Sequence, residues 1–251
     1  MTPTNIFKDF EFENLMTVPK DSYAILRLDG RAFHTFTKDP ILNFKRPYDQ
    51  QFINAMNDGA KRVVTDVIPS ALLTYVASDE VSILFKADEL TPFKRSMNKL
   101  LTLAVSAMTI GFNTSLSTDK ALFDGRFAYI GGPEELKAYF DWRRLDAWKN
   151  MISNASYELY PVSELQGKST KDRLQMLEGT IYEKMDDSAV WGRYLTKERY
   201  VTYSPTSNQN SIERTRFEFK PAIRKTSDEL IQDILDTDTK TKEFEAFLDT
   251  L

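Results

Sequence analysis

Leu72-Leu73-Thr74-Tyr75-Val76-Ala77-Ser78-Asp79-Glu80-Val81-Ser82-Ile83-Leu84-Phe85 holds two short apolar runs parted by three polar residues. Runs of that length, rich in β-branched and aromatic residues, read as strands, and so short a break between them predicts a tight hairpin. Upstream, Tyr23 to Leu28 reads as an earlier strand that stops at Asp29-Gly30-Arg31. Between the two, apolar residues fall at Phe52, Met56, Ala60, Val63 and Val67, a helical spacing that Pro69 ends. Downstream, Thr91-Pro92 reads as an N-cap and a proline at the first helical position, opening a helix through Met97, Leu101, Ala104 and Met108 towards Phe112. Asp124-Gly125 precedes a fourth strand, Arg126 to Ile130. The order β-α-β-β-α-β is that of the ferredoxin-like fold. The expected class is therefore α+β, with an antiparallel sheet in the order 4-1-3-2. That order sets the third strand beside the first, so the end of the first strand meets the hairpin turn. Asp29 and Asp79, fifty positions apart, are thereby expected at one edge of the sheet. Nucleic-acid polymerase palms hold two metal ions in such a place, a likeness at the level of fold.

Beyond the fourth strand, Gly132-Pro133-Glu134-Glu135 opens a long helix expected to reach about Tyr157, with proline in its first turn and acids at the positive end of its dipole. Ser169 or Thr170 is expected to cap a helix running to Met185, and the aromatic stretch Trp191 to Ser211 to form a strand pair. Ser227 is read as the cap of a last, acidic helix with Leu230, Ile231, Ile234 and Leu235 facing inward. The expected organisation is a palm-like catalytic core over residues 1–130 and a helical C-terminal extension over 131–251, packed on it as one compact unit.

Composition narrows the chemistry. The chain has 251 residues, 41% apolar and 28% charged, ordinary for a globular protein with a buried core. No run of 18 apolar residues predicts a membrane span, and Met1-Thr2-Pro3-Thr4 does not begin a secretory signal. With no cysteine and a single histidine, His34, thiolate chemistry and multi-histidine metal sites are excluded. A reducing, cytoplasmic setting fits. A bound metal needs hard oxygen ligands, which favours Mg²⁺. The net charge of −4 is unevenly spread. Ser227 to Leu251 carries eight acids and two lysines, leaving 29 acids and 31 bases before it. RNA binding would therefore rest on local basic patches rather than on the field of the whole molecule.

Four groups of residues can carry chemistry. In Arg27-Leu28-Asp29-Gly30-Arg31-Ala32-Phe33-His34, Asp29 can hold a metal, Gly30 allows a sharp turn, and successive N–H groups can form a nest for phosphate, with Arg31 and His34 nearby. Ser78-Asp79-Glu80 sets two acids in a turn, where they repel one another unless a cation is present. Lys94, Arg95 and Lys99, expected on the helix after the hairpin, and Lys45-Arg46 before Pro47 can meet a triphosphate or an RNA backbone. Arg143, Asp146, Asn150 and Asn154 are spaced three, four and four apart, which gives one polar stripe on the long helix. Taken singly, each group also fits a bland role as a polar turn or a solvated face. The predicted meeting of Asp29 with Asp79 is what favours the metal reading. His34 fits a hydrogen bond to phosphate better than the role of a general base.

Together these segments resemble the tRNA(His) guanylyltransferase superfamily, whose members add nucleotides to the 5′ end of RNA. The likeness continues at Phe44-Lys45-Arg46-Pro47-Tyr48-Asp49, Phe123-Asp124-Gly125-Arg126, Trp142-Arg143-Arg144-Leu145-Asp146 and Gly167-Lys168-Ser169-Thr170-Lys171, and fades after about Tyr200. The resemblance implies a palm-like fold using two Mg²⁺ ions, with Asp29, the Gly30 carbonyl and Asp79 as metal ligands and Asp29, Asp79 and Glu80 as catalytic acids, Glu80 supporting the site. It implies nucleotide binding by Asp29, Gly30, Arg31, Ala32, Phe33, His34, Ser78 and Asp79, with Arg46 and Lys99 as phosphate-contacting bases. Asn150 and Asn154 complete that set, and Lys94, Arg95 and Arg143 are weaker candidates for RNA contact. ATP or GTP would activate a 5′-monophosphate on tRNA, the 3′-hydroxyl of an incoming nucleotide would attack it, and the protein would work as a homotetramer. One departure matters. The family's His-Ile-Asn-Asn-Leu-Tyr-Asn signature is here Trp148-Lys149-Asn150-Met151-Ile152-Ser153-Asn154. Losing that histidine resembles the guanylyltransferase-like branch, which repairs 5′-truncated tRNAs by template-dependent addition. A strict histidine-tRNA enzyme, a nucleotide cyclase and a non-catalytic nucleotide- or RNA-binding module are the competing readings.

Overall fold

The computed structural model describes residues 16–88, 91–183, 185–203 and 211–221. The acidic helix expected from Ser227 lies outside them. β1 (Tyr23–Gly30), β2 (Leu73–Ala77), β3 (Glu80–Lys86) and β4 (Phe123–Ile130) form the antiparallel heart of the sheet. The full order is β4-β1-β3-β2-β5-β6, which contains the expected 4-1-3-2. β5 (Arg193–Tyr203) pairs with β2, and β6 (Ser211–Pro221) pairs with β5; the stretch Trp191 to Ser211 thus holds only the first strand of the expected pair, and the second begins at its end.

Both faces of the sheet are covered, because the apolar runs of its central strands alternate between two cores. Leu26, Leu28, Val76, Val81, Ile83 and Phe85 point to one side, against α2 (Gln50–Asp66) and α3 (Met97–Leu116). Ile25, Tyr75, Leu84 and Tyr194 point to the other, with Leu136 and Phe140 of the long helix α4 (Pro133–Leu159). α2 and α3 cross at Gly59 and Gly111. A Cβ on Gly111 would lie 2.8 Å from the Gly59 Cα, so the two backbones touch.

Three local expectations are corrected. The helix expected to start at Pro92 begins only at Met97. Pro92–Arg95 is a separate 3-10 turn, and Phe93, Lys94 and Arg95 have φ of 57°, 51° and 64°, left-handed values that no α-helix can contain. Asp124 and Gly125 lie inside β4 rather than before it, with Leu28 and Leu101 filling the space that a Cβ on Gly125 would need. The helix capped by Ser169, Thr170–Leu177, carries the expected cap as a reciprocal box with Asp172 but stops well short of Met185. Glu178 leaves helical geometry there, and Gly179 adopts φ +72°.

Candidate active site

The hairpin turn is tighter than the sequence suggests. Ala77 pairs with Glu80, so only Ser78 and Asp79 make the loop, with Ser78 at φ 50°, and Glu80 is the first residue of β3. The Gly30 N–H donates to the Asp79 carbonyl at 3.0 Å, which ties the end of β1 to that loop as the 4-1-3-2 order requires. Asp29 and Asp79 are therefore neighbours. Burial pushes the Asp79 carboxyl above the ordinary aspartate range, and the negative charge of Asp29 adds to the rise. Burial also raises Asp29, outweighing the pull of Arg27.

Directly paired residues of adjacent strands share a face. Asp124, Asp29 and Glu80 thus form one row across β4, β1 and β3, and Arg126, Arg27 and Ser82 form the next. The two rows partly neutralise one another. Arg126 meets Asp124 at 3.0 Å, and Arg27 stands 4.0 Å from Asp29 and 3.7 Å from Glu80. From α4, Arg143 donates to Glu80 at 2.7 Å and meets Asp146 at 3.1 Å, while its guanidinium lies 3.8 Å from the centre of the Trp142 ring. Burial raises Glu80 even against Arg143.

The loop after β1 turns differently from the expectation. Gly30 is not left-handed; it is needed because the Phe33 ring lies 2.5 Å from where its Cβ would stand. The left-handed residue is Ala32, at φ 57°, which opens the short helix α1 (Phe33–Phe36). The Gly30 and Arg31 N–H groups are taken by the carbonyls of Asp79 and Leu122. Among the described residues the N–H groups of Ala32, Phe33 and His34 meet no acceptor. Phe33 holds the loop down through rings of Phe36, Phe123, Phe112 and Phe52 at 4.8–5.9 Å.

Beside this loop opens a cavity of about 280 Å³. Its wall includes Phe33, His34, Lys45, Arg46, Ser78, Asp79, Asn150 and Asn154, so eight of the residues singled out in the sequence converge on it. The loop that carries Arg46 is pinned by Asp49, whose carboxylate caps α2 at the Gln51 N–H (2.6 Å) and accepts from the Lys45 N–H (2.9 Å). His34 is exposed, with its Nε2 2.7 Å from Lys38 Nζ. Asp29, Glu80 and Lys99 are not in the wall, and Lys99 is an exposed residue in the first turn of α3. Lys94 and Arg95 do not sit on that helix, and Arg95 donates to the Val18 carbonyl at 3.4 Å. Arg143 is buried and engaged by two carboxylates, so it secures Glu80 rather than offering a contact to RNA.

The charged wall residue that was missed is Arg193, at the start of β5. The signal was present in Val190-Trp191-Gly192-Arg193-Tyr194-Leu195, where a single charge interrupts an otherwise apolar run. Among the described residues no third acid or histidine joins Asp29 and Asp79 in a group able to cage a metal unaided. Two repelling carboxylates suit Mg²⁺ nonetheless, since that ion characteristically takes one or two carboxylates and completes its shell with water and substrate phosphates.

Comparison with known proteins agrees with this arrangement. The family model described as tRNAHis guanylyltransferase matches residues 4–144, more than half of the chain. The tRNA(His) guanylyltransferase of Candida glabrata is 30% identical over 188 residues, covering 70% of this chain and 77% of the relative. That of Schizosaccharomyces pombe is 32% identical over 155 residues, or 59% of this chain, and the match spans only 58% of the relative's length. A bacterial tRNA(His) guanylyltransferase-like protein solved in complex with GTP superposes with a TM-score of 0.69 at 28% identity, over 91% of this chain and 96% of that one. With a palm-like sheet, paired acids at its edge and these matches, the chain belongs to the tRNA(His) guanylyltransferase family of nucleotidyltransferases.

Proposed function

We propose that this protein is a template-dependent 3′→5′ nucleotidyltransferase that restores nucleotides at the 5′ end of tRNA. The observation that carries the reading is the meeting of Asp29 with Asp79, which itself lines the cavity beside the loop after β1. The GTP complex of the bacterial relative supports a nucleoside triphosphate as its occupant. In this reading Asp29, Asp79 and the Gly30 carbonyl hold two Mg²⁺ ions, which supply polarisation of the phosphoryl group and a more acidic hydroxyl. The N–H groups of Ala32, Phe33 and His34, with Ser78 and Arg46, orient the triphosphate. Asn150 and Asn154 hydrogen-bond the nucleoside from α4, and Glu80, gripped by Arg143, keeps β3 in register beside Asp29. The reaction joins a 3′-hydroxyl to an activated 5′-phosphate and releases the activating nucleotide, so the residues position and neutralise charge rather than form a covalent intermediate. The core over residues 1–130 would hold the catalytic acids, and a homotetramer in the cytoplasm would be the working form.

Trp148 favours repair over strict histidine-tRNA addition, because it stands where the family's signature histidine would be and its ring stacks on Trp191 with centres 5.9 Å apart. The test is extension of a 5′-monophosphorylated tRNA lacking its first nucleotide, with Mg²⁺, ATP and all four triphosphates. Restoration of only the nucleotide that pairs with the opposite strand is expected. Addition of one G to full-length histidine tRNA alone would replace repair by the strict activity. Pyrophosphate release without RNA would indicate a cyclase, and no turnover at all a binding module.

A further inference from the structure

Arg193 enters from β5, where it pairs with Val76, two residues before the hairpin loop. Its approach is fixed from behind. Gly192 has φ +85°, the Tyr75 ring fills the space that a Cβ there would take, and the Tyr75 hydroxyl donates to the Trp191 carbonyl at 2.6 Å. The side chain is 4% exposed, yet its partners are neutral: Nε donates to Asn57 Oδ1 at 2.8 Å and Nη1 to the Ser188 carbonyl at 3.1 Å. Nη2 is buried and meets no acceptor among the described residues, and no carboxylate there makes an ion pair with the guanidinium; Asp186 supplies the negative field that partly steadies its charge. Burial pushes its pKa down only to about 10, so it stays charged at neutral pH. A buried charge without a contacting counter-ion is costly. Hydrogen-bonding needs alone do not explain its retention, because neutral donors could satisfy Asn57 and Ser188. The residue stands in the wall of the same cavity as Asp79, Asn150 and Asn154.

We propose that Arg193 is a phosphate-binding residue of this cavity, its unspent donor and incompletely compensated charge being met by a phosphate of the bound substrate. A phosphate supplies the acceptor that Nη2 lacks and a negative charge in contact with the guanidinium, and the planar fork of arginine suits its oxygens. The strand pair outside the βαββαβ core thus contributes directly to substrate binding. The inference rests on the nucleotide reading above.

Calorimetry on the full chain tests it with MgATP, tripolyphosphate, adenosine and a 5′-monophosphorylated oligoribonucleotide, using wild type, Arg193→Met and Arg193→Lys, with melting temperatures recorded for each. Arg193→Met is expected to weaken tripolyphosphate binding about tenfold or more, the range for a lost charge-assisted hydrogen bond, and to leave adenosine unchanged. If tripolyphosphate is unaffected but the monophosphorylated RNA is weakened by that factor, the phosphate comes from the RNA end and the assignment stands. Weakened adenosine with unchanged tripolyphosphate would overturn it in favour of a base contact. Equal affinities for every ligand would make Arg193 a structural strut. If Arg193→Met does not fold, Arg193→Lys decides, since it keeps the charge without the fork. Weaker tripolyphosphate binding at an unchanged melting temperature sustains the proposal, and wild-type affinity ends it. If wild type itself binds no MgATP, the nucleotide reading fails first and takes this inference with it.

Discussion

Arg143 and Arg193 are both buried arginines, 8% and 4% exposed, set on opposite faces of the same sheet, yet their surroundings differ in kind. Arg143 is matched by Glu80 and Asp146, and with Arg27 it makes a network of opposed charges under α4. Arg193 has only neutral hydrogen-bond acceptors, and across the cavity Asp79 is a partly buried acid raised by burial and by Asp29. Charge that is already matched in the free protein is a scaffold. Charge left unmatched beside a cavity is a standing cost that a ligand of the opposite sign removes. In the proposed reading the acids take a cation and Arg193 an anion, and a metal–phosphate substrate is both at once.

That contrast can be broken experimentally, and the largest effect is expected at the unmatched acids. Asp79→Asn should lower nucleotide addition by about a thousandfold or more, since it removes a metal ligand from the reacting phosphate, while the metal-free protein melts no lower than wild type. Turnover within tenfold of wild type would end the metal assignment. The matched region should respond the other way round. Glu80→Ala strands the buried Arg143 with Asp146 alone, at a cost on the order of 2 kcal/mol, below the ~3–5 typical of a fully broken buried pair. Chemical denaturation measures it, and a loss under ~0.5 kcal/mol would mean that the network is ornamental.

A titration sharpens the same point. Asp79 and Asp29 have raised values in the folded state, so between the ordinary aspartate value of 3.8 and those raised values the folded chain binds more protons than the unfolded one. Stability of the metal-free protein should therefore fall as pH rises through that window, the reverse of a salt-bridged acid. Mg²⁺ with nucleotide should remove the fall, and Asp79→Asn should flatten it; melting curves from pH 4 upward would show either. The smallest effect is expected at Ser82, fully buried, whose hydroxyl lies 3.0 Å from the Tyr139 hydroxyl and 3.3 Å from Glu80. Ser82→Ala should cost about 1 kcal/mol and leave turnover within about twofold. A large drop in rate there would show that the matched side is not inert.

The central sheet was legible because its strands are apolar on both faces, and continuous apolar runs bounded by Asp29-Gly30 and Ser78-Asp79 leave little choice of register. The convergence of Asp29 with Asp79 followed from topology alone. What the sequence hid was local backbone geometry and long-range company. Thr91-Pro92 has the composition of a helix start, but three successive left-handed residues intervene before Ser96, a conformation that Phe93, Lys94 and Arg95 do not advertise. Glu80 reads as a turn residue until its pairing with Ala77 makes it part of β3. Arg193 could be recognised as odd in its apolar stretch, but that it reaches the same cavity as Asp79 depends on β5 pairing with β2 more than a hundred residues away.

That pairing has a consequence for how the molecule could be divided. β2 is bonded on one side by β3 and on the other by β5. A fragment ending after β4 would leave the outer rim of β2 with free N–H and C=O groups next to a run, Leu73 to Ala77, that is buried in the whole chain. Such a rim is a template for a strand from another molecule. The minimal domain would be prone to self-association rather than behave as a small working enzyme, and the last hairpin of the sheet acts as a cover against that outcome.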